Sequence, residues 1–197
     1  MRLDHLAIGA QTLQEGIAWA EAKLGVSFQA AGTHARFATH NRLLGVADGL
    51  YLEVIAADPD ATCEGPRWFG LDTFSGPPRL VNWICEPADF DAALRHGLEK
   101  VPMRRDALKW DMGVRPDGTL PLGGAYPTVL KWHTSSPPER SLPNSGIALH
   151  RLVIEHPHAA DIQAEVAELN DPRVEFHVAA APNLRATFDT PTGRVTL

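Results

Sequence analysis

The amino-terminal stretch MRLDHLAIGA sets His5 in an apolar run, and GLYLEVIA, residues 49–56, sets Glu53 in another. An imidazole serves as a ligand for zinc, iron, cobalt or nickel and as a base near neutral pH. A glutamate is almost never fully buried without a partner, because an unpaired buried carboxylate costs several kcal/mol or takes up a proton. A metal ion would satisfy Glu53, and so would a nearby arginine. His5 has a plain structural reading too, as a core histidine bonded to the backbone. Strand alternation turns Asp4 to the face opposite His5.

FATHNRLLGV, residues 37–46, supplies further candidates, and hairpin arithmetic separates them. Asp48-Gly49 is a strong hairpin signal. A two-residue turn pairs Ala47 with Leu50 and places Leu44 opposite Glu53. Arg42 is then diagonal to Glu53 and within reach of it. His40 lies on the same face but is displaced by about 13 Å, too far to share an ion. A three-residue turn flips the face and presents Asn41 instead. His40 in either case lines a cleft or bonds the backbone where its strand begins.

The elements that hold these residues form a unit over residues 1–57. RLDHLAI reads as a strand, and Thr12 to Glu15 form a capping box. Leu13, Ile17, Ala20 and Leu24 mark a helical face, with Gly25 as C-cap. An extended segment near 26–30 and strands at about 39–47 and 50–56 complete a β-α-β-β-β order. A divergent second unit spans 79–133: RLVNWIC, then a helix in PADFDAALRHGL with Phe90, Leu94 and Leu98 on one face, then extended stretches at about 107–115 and 119–133. Aligning Leu13 with Phe90 and Ile17 with Leu94 matches Asn82 to His5. A partial third unit, 146–197, opens with GIALHRLVIEH, has a helix at about 159–169 and closes in a hairpin. All three are expected within one compact α+β domain of curled mixed sheets.

LDHLAI, ATHNRLLGVADGLYLEVIAADP, GTLPLGGAYPTVLKW and SLPNSGIALHRLVIEHP resemble the glyoxalase-like branch of the vicinal oxygen chelate superfamily. The resemblance implies paired β-α-β-β-β modules curled around a cleft, with a divalent metal held by side chains on the first and fourth strands. It matches His5 to the first-strand ligand and Glu53 to the fourth-strand ligand. In the second unit Asn82 takes the first-strand position. The segment 119–132 has no Glu, and the final hairpin offers Asp189. His150 becomes the third ligand if the third unit pairs with the first. Trp132, beside His133, is expected as an apolar cleft wall, and His40, Asn41, Arg42 and Asn82 as substrate contacts.

Composition excludes several function classes. The 197 residues can bury one sizeable core. The formal net charge is -6, and scattered Lys and Arg offer no patch for nucleic acid. No run approaches 18 apolar residues, and no secretory leader is visible, so a cytoplasmic protein is expected. Cys63 and Cys85 lack zinc or redox spacing. IGAQTL is not GxGxxG, and no phosphate loop or GxSxG elbow occurs, so no nucleotide cofactor is expected.

The leading functional reading is a metal-assisted enzyme of isomerase, lyase or dioxygenase type acting on a small oxygenated molecule. In it Zn, Mn, Fe, Co or Ni is held by His5, Glu53 and His150, and Glu53 moves a proton. The alternative is a metal-free small-molecule binding or sequestering protein, with Arg42 paired to Glu53. A homodimer is the assembly to test, and a mainly structural dimerisation module is a third reading.

Overall fold

The computed structural model describes residues 1–135 and 137–197. The first unit comprises β1 (Arg2–Gly9), α1 (Leu13–Leu24), β2 (Ala30–His34), β3 (Thr39–Val46) and β4 (Leu50–Ala57). The Thr12 hydroxyl accepts the Glu15 N–H at 3.2 Å, and Gly25 closes α1 in the left-handed region at φ 70°. Gly16, Ala20 and Leu24 form the buried face of α1, with Leu13 and Ile17 packed at its margin. A Cβ at Gly16 would lie 2.5 Å from Val54 Cγ1, so the missing side chain lets the helix settle onto β4.

The second unit gives β5 (Arg79–Glu86), β6 (Glu99–Arg105), β7 (Leu108–Val114) and β8 (Thr128–Trp132). The helix expected in PADFDAALRHGL is a series of turns instead. Pro87 opens this short connection, and His96 and Gly97 both take positive φ, at 54° and 80°, which ends any helix. Phe90, Ala93 and Leu98 are nevertheless buried, so the apolar spacing served packing without a helix. Only the end of the expected 119–133 strand is extended. The unforeseen β6 carries Lys100, Pro102, Arg104 and Arg105, the composition of an edge strand.

These eight strands form one sheet in the order β2-β3-β4-β1-β5-β8-β7-β6. The first strand of each unit runs parallel to the fourth, β1 with β4 and β5 with β8. β1 and β5 join the halves antiparallel, with Leu6 opposite Trp83. The sheet curls until its edges approach, and Arg105 on β6 lies against Gly32 on β2.

After a helical turn, α2 (Pro138–Ser141), the chain forms β9 (Ala148–His156), α3 (Ala159–Glu165), β10 (Val174–Val178), β11 (Asn183–Thr190) and β12 (Gly193–Thr196). These strands make a separate sheet ordered β10-β9-β11-β12. Here the first strand runs parallel to the second, not the fourth. The third unit packs behind the large sheet: Leu152, Ile154 and Phe188 join Trp83, Cys85 and Val129 in one core. A second core of Ala7, Ile55, Ile84, Met112 and Leu130 lines the concave side. No helix among the described residues is long and apolar enough to cross a membrane.

Candidate functional site

The concave face of the large sheet carries the polar residues. Ala47-Asp48-Gly49 is a three-residue connection, with Val46 opposite Leu50 and Leu43 opposite Glu53. That register puts Asn41 on the side of Glu53 and turns Arg42, opposite Val54, to the back. The Asn41 amide donates to Glu53 Oε1 at 2.5 Å. Arg42 is therefore not the partner of Glu53. His40 also points to the back, opposite Ala56, and its Nε2 is buried with no hydrogen bond.

β1 brings His5 to the same place. It pairs His5 with Tyr51 and Ala7 with Glu53, so His5 and Glu53 are diagonal neighbours. His5 Nε2 lies 3.7 Å from Glu53 Oε2, and the ring stacks on Tyr51 with centroids 4.2 Å apart. Asp4 does not face away as alternation predicts. The register between β1 and β5 slips between Leu3 and His5, and this bulge lets consecutive side chains meet. The result is a 2.7 Å hydrogen bond from His5 Nδ1 to Asp4 Oδ1. Asp4 Oδ2 accepts from Arg2 and from Trp132 Nε1, both at 3.1 Å.

Asp4, His5 and Glu53 are thus a buried line of alternating charge. Burial opposes the charged imidazole, but hydrogen bonds to Asp4 and Glu53 outweigh it and raise the His5 pKa to about 9. Burial likewise pushes both carboxyls upward, and the His5 contacts overcome it and hold each below its usual range. Nearby His34 has the opposite fate. Burial, aided by the Arg105 and His5 charges, lowers its pKa to about 4 against the pull of Glu53. The Thr39 hydroxyl accepts from Trp68 Nε1 and can donate to His34 Nδ1, each at 3.1 Å, a pattern suited to a neutral ring.

These groups border a narrow cleft of about 30 Å³. His5, Asn41 and Glu53 form one wall, Trp110 and Trp132 another, and Arg105 also faces it. Trp132 is a cleft wall that also holds Asp4. His34, Arg105, Trp68 and Trp110 were not among the sequence candidates. The cleft-facing residues of β6 and β7 carry no signal until the sheet curls. The consecutive Asp4-His5 pair in an apolar strand did hint at a bulge.

The second half repeats the positions of the first. Reflection about the Leu6–Trp83 pair matches His5 to Asn82, since His5 lies opposite Ile84 and Ala7 opposite Asn82. Ala7 pairs with Glu53 and Ile84 with Thr128, which matches Glu53 to Thr128. Where the first half has an imidazole and a carboxylate, the second has an amide and a hydroxyl. The two are buried and bonded to each other, Asn82 Nδ2 to Thr128 Oγ1 at 2.7 Å. Neither is among the residues bordering the cleft.

This donor set does not fit the divalent metal that the resemblance implied. Asp4 behind His5 is the usual support of a ligand histidine. Yet the matching pair in the second half is an amide and a hydroxyl, Asn82 Nδ2 bonded to Thr128 Oγ1, with Asn82 Oδ1 left as a buried acceptor without a partner among the described residues. Among the described residues no three His, Cys, Asp or Glu side chains converge on one point. His150 is no third ligand: it sits on β9 in the rear sheet, exposed, 3.5 Å from Asp189.

Two four-stranded halves sharing one sheet and one concave cleft define an α+β protein of paired modules. Residues 3–170 match the family model of the glyoxalase-like domain, and the chain belongs to that family, within the vicinal oxygen chelate superfamily. A hypothetical protein from Staphylococcus aureus is similar in fold: 13% identity over 92% of this chain and 88% of that one, with a TM-score of 0.63. The methylmalonyl-CoA epimerase of Mycobacterium tuberculosis is 19% identical over 66% of this chain and 85% of its own, at a TM-score of 0.43. A Streptomyces coelicolor methylmalonyl-CoA epimerase in complex with 2-nitronate-propionyl-CoA is 14% identical over 68% and 99%, at 0.45. No curated protein matches the sequence.

Proposed function

We propose that this protein binds a small organic molecule in the concave cleft without a metal ion. The observation that carries this reading is the second half, where Asn82 and Thr128, an amide bonded to a hydroxyl, stand at the positions matching His5 and Glu53. Aromatic walls beside a few placed polar groups are the usual make-up of a small-molecule site. The family's cleft is then kept for recognition, with the ion pair where other arrangements would hold a metal.

The test is metal analysis of tag-free protein after incubation with Zn, Mn, Fe, Co and Ni in turn and removal of excess. The expected result is well below one equivalent of each, unchanged in H5A and E53A. Near-stoichiometric metal that both substitutions abolish would overturn the reading and restore the metal-assisted enzyme.

A further inference from the structure

β10 is an outer strand of the rear sheet, and its sequence VEFHV, residues 174–178, lacks the usual protection of an edge. Exposed edges are ordinarily guarded by Lys, Pro or a bulge, as Lys100 and Pro102 guard β6. β10 carries no Lys or Pro, and it pairs with β9 in unbroken register from Val174 to Val178. Val178 is also 77% exposed, the one large apolar side chain so placed among the described residues.

The backbone of β10 fixes which groups face outward. Arg173 O accepts from the Leu152 N–H at 2.8 Å, and the Ala179 N–H donates to His156 O at 3.3 Å, so these odd-numbered residues face β9. A parallel ladder uses alternate residues, so Glu175 and His177 also bond β9. Phe176 and Val178 direct their N–H and C=O groups to the open side, with the Val174 carbonyl; the Val174 N–H is held by Asp171 O at 3.1 Å. VEFHV is also nearly a palindrome. Run antiparallel against itself about Phe176, it sets Val174 opposite Val178 and Glu175 opposite His177, a carboxylate against an imidazole. The hydrogen-bonded positions of that register fall on Val174, Phe176 and Val178, whose backbone faces outward. Glu175 and His177 take the non-hydrogen-bonded positions, where opposed side chains are closer.

We propose that a second copy of this chain pairs with β10 along this edge, joining two rear sheets into one across a two-fold axis. The partner's Val178 comes to lie beside Val174, at a groove of about 470 Å³ whose lining includes Ala160, Ala164, Ala167, Val174 and Phe176. The exposed valine gains apolar cover there. Glu175 already meets His177 and Arg151 of its own chain, each at 3.0 Å and both through Oε2, which leaves Oε1 for the partner's His177. The surface lies on the rear sheet, so the proposal does not depend on what the concave cleft binds.

Sedimentation equilibrium of tag-free native protein is expected to give a dimer at micromolar concentration. V178P removes an outward N–H and no bond to β9, and H177E sets carboxylates opposite each other. Each should weaken self-association at least about tenfold, with an unchanged far-UV spectrum as the folding control. Exchanging the two residues in E175H/H177E restores the complement and should restore the dimer. Amide exchange on native protein needs no variant: in the dimer the Phe176 and Val178 amides should be protected like those of Glu175 and His177, and dilution to monomer should expose the first pair alone. A native monomer at submillimolar concentration, a dimer that neither V178P nor H177E weakens, or fast exchange at Phe176 and Val178 within the dimer overturns the proposal.

Discussion

Raising pH should destabilise this protein in a window set by His5. Its imidazole titrates near 6.5 when free and at about 9 in the folded chain. Between those values the folded state keeps a proton that the unfolded state has released. The stabilisation is therefore complete below pH 6.5 and lost as pH rises through 9. Each pH unit corresponds to about 1.4 kcal/mol, so the whole loss is about 3–4 kcal/mol. That is a large share of a typical total stability of about 5–15 kcal/mol. His34 does not obscure the window. Its folded pKa is depressed to about 4, so its contribution is lost as pH falls from 6.5 toward 4. Asp4 and Glu53, both lowered, contribute above the ordinary carboxylate range and weaken the fold only in acid. Buried Cys85, whose thiol is raised, adds a loss of the same sign as His5 at the alkaline end, so the comparison should include C85A. Urea unfolding at pH 6.0, 7.0, 8.0 and 8.5 reads the slope from the midpoints. E53Q removes one of the two carboxylates that raise His5 and should end the window at lower pH. A midpoint flat from pH 6.5 to 8.5 in C85A would refute a charged, doubly held His5.

Further perturbations have separate outcomes. Asn41→Leu removes the amide that donates to Glu53 and should cost about 1.5–3 kcal/mol in urea unfolding, as hydrogen bonds to charged groups do. Gly16→Val should cost about 1–3 kcal/mol by overpacking α1 against Val54, read as a lower thermal midpoint. The double variant N82H/T128E puts an imidazole and a carboxylate at the positions matching His5 and Glu53. Without metal it should be destabilised by several kcal/mol from the added buried charge, and stoichiometric zinc should raise its melting temperature while leaving native protein unchanged.

Much of the first unit was legible because local signals and burial agree there. Thr12 caps, Gly25 ends the helix, and β1, β3 and β4 carry continuous apolar runs. The β1–β4 neighbourhood made His5 the mate of Glu53, and the structure brings them together. The Arg42 pairing failed on one residue of turn length, because Asp48 takes a left-handed conformation, φ 62°, and Ala47 joins the loop. In the second unit Phe90 and Leu98 are core residues with helical spacing, and only the positive φ of His96 and Gly97 shows that they sit in turns. Asn82 was matched to His5 from sequence, but Thr128 as the counterpart of Glu53 needs the β5–β8 register. Arg105 belongs to an edge strand with Pro102, and nothing local reveals that curling brings it to Gly32.

The central claim is that His5 is a cation held between Asp4 and Glu53 and serves ligand binding rather than metal ligation. Nitrogen NMR of the His5 ring at pH 7.5, before and after one equivalent of zinc, tests this most directly. The account predicts both ring nitrogens protonated and unmoved by zinc. A neutral ring whose Nε2 resonance shifts on adding zinc would contradict it.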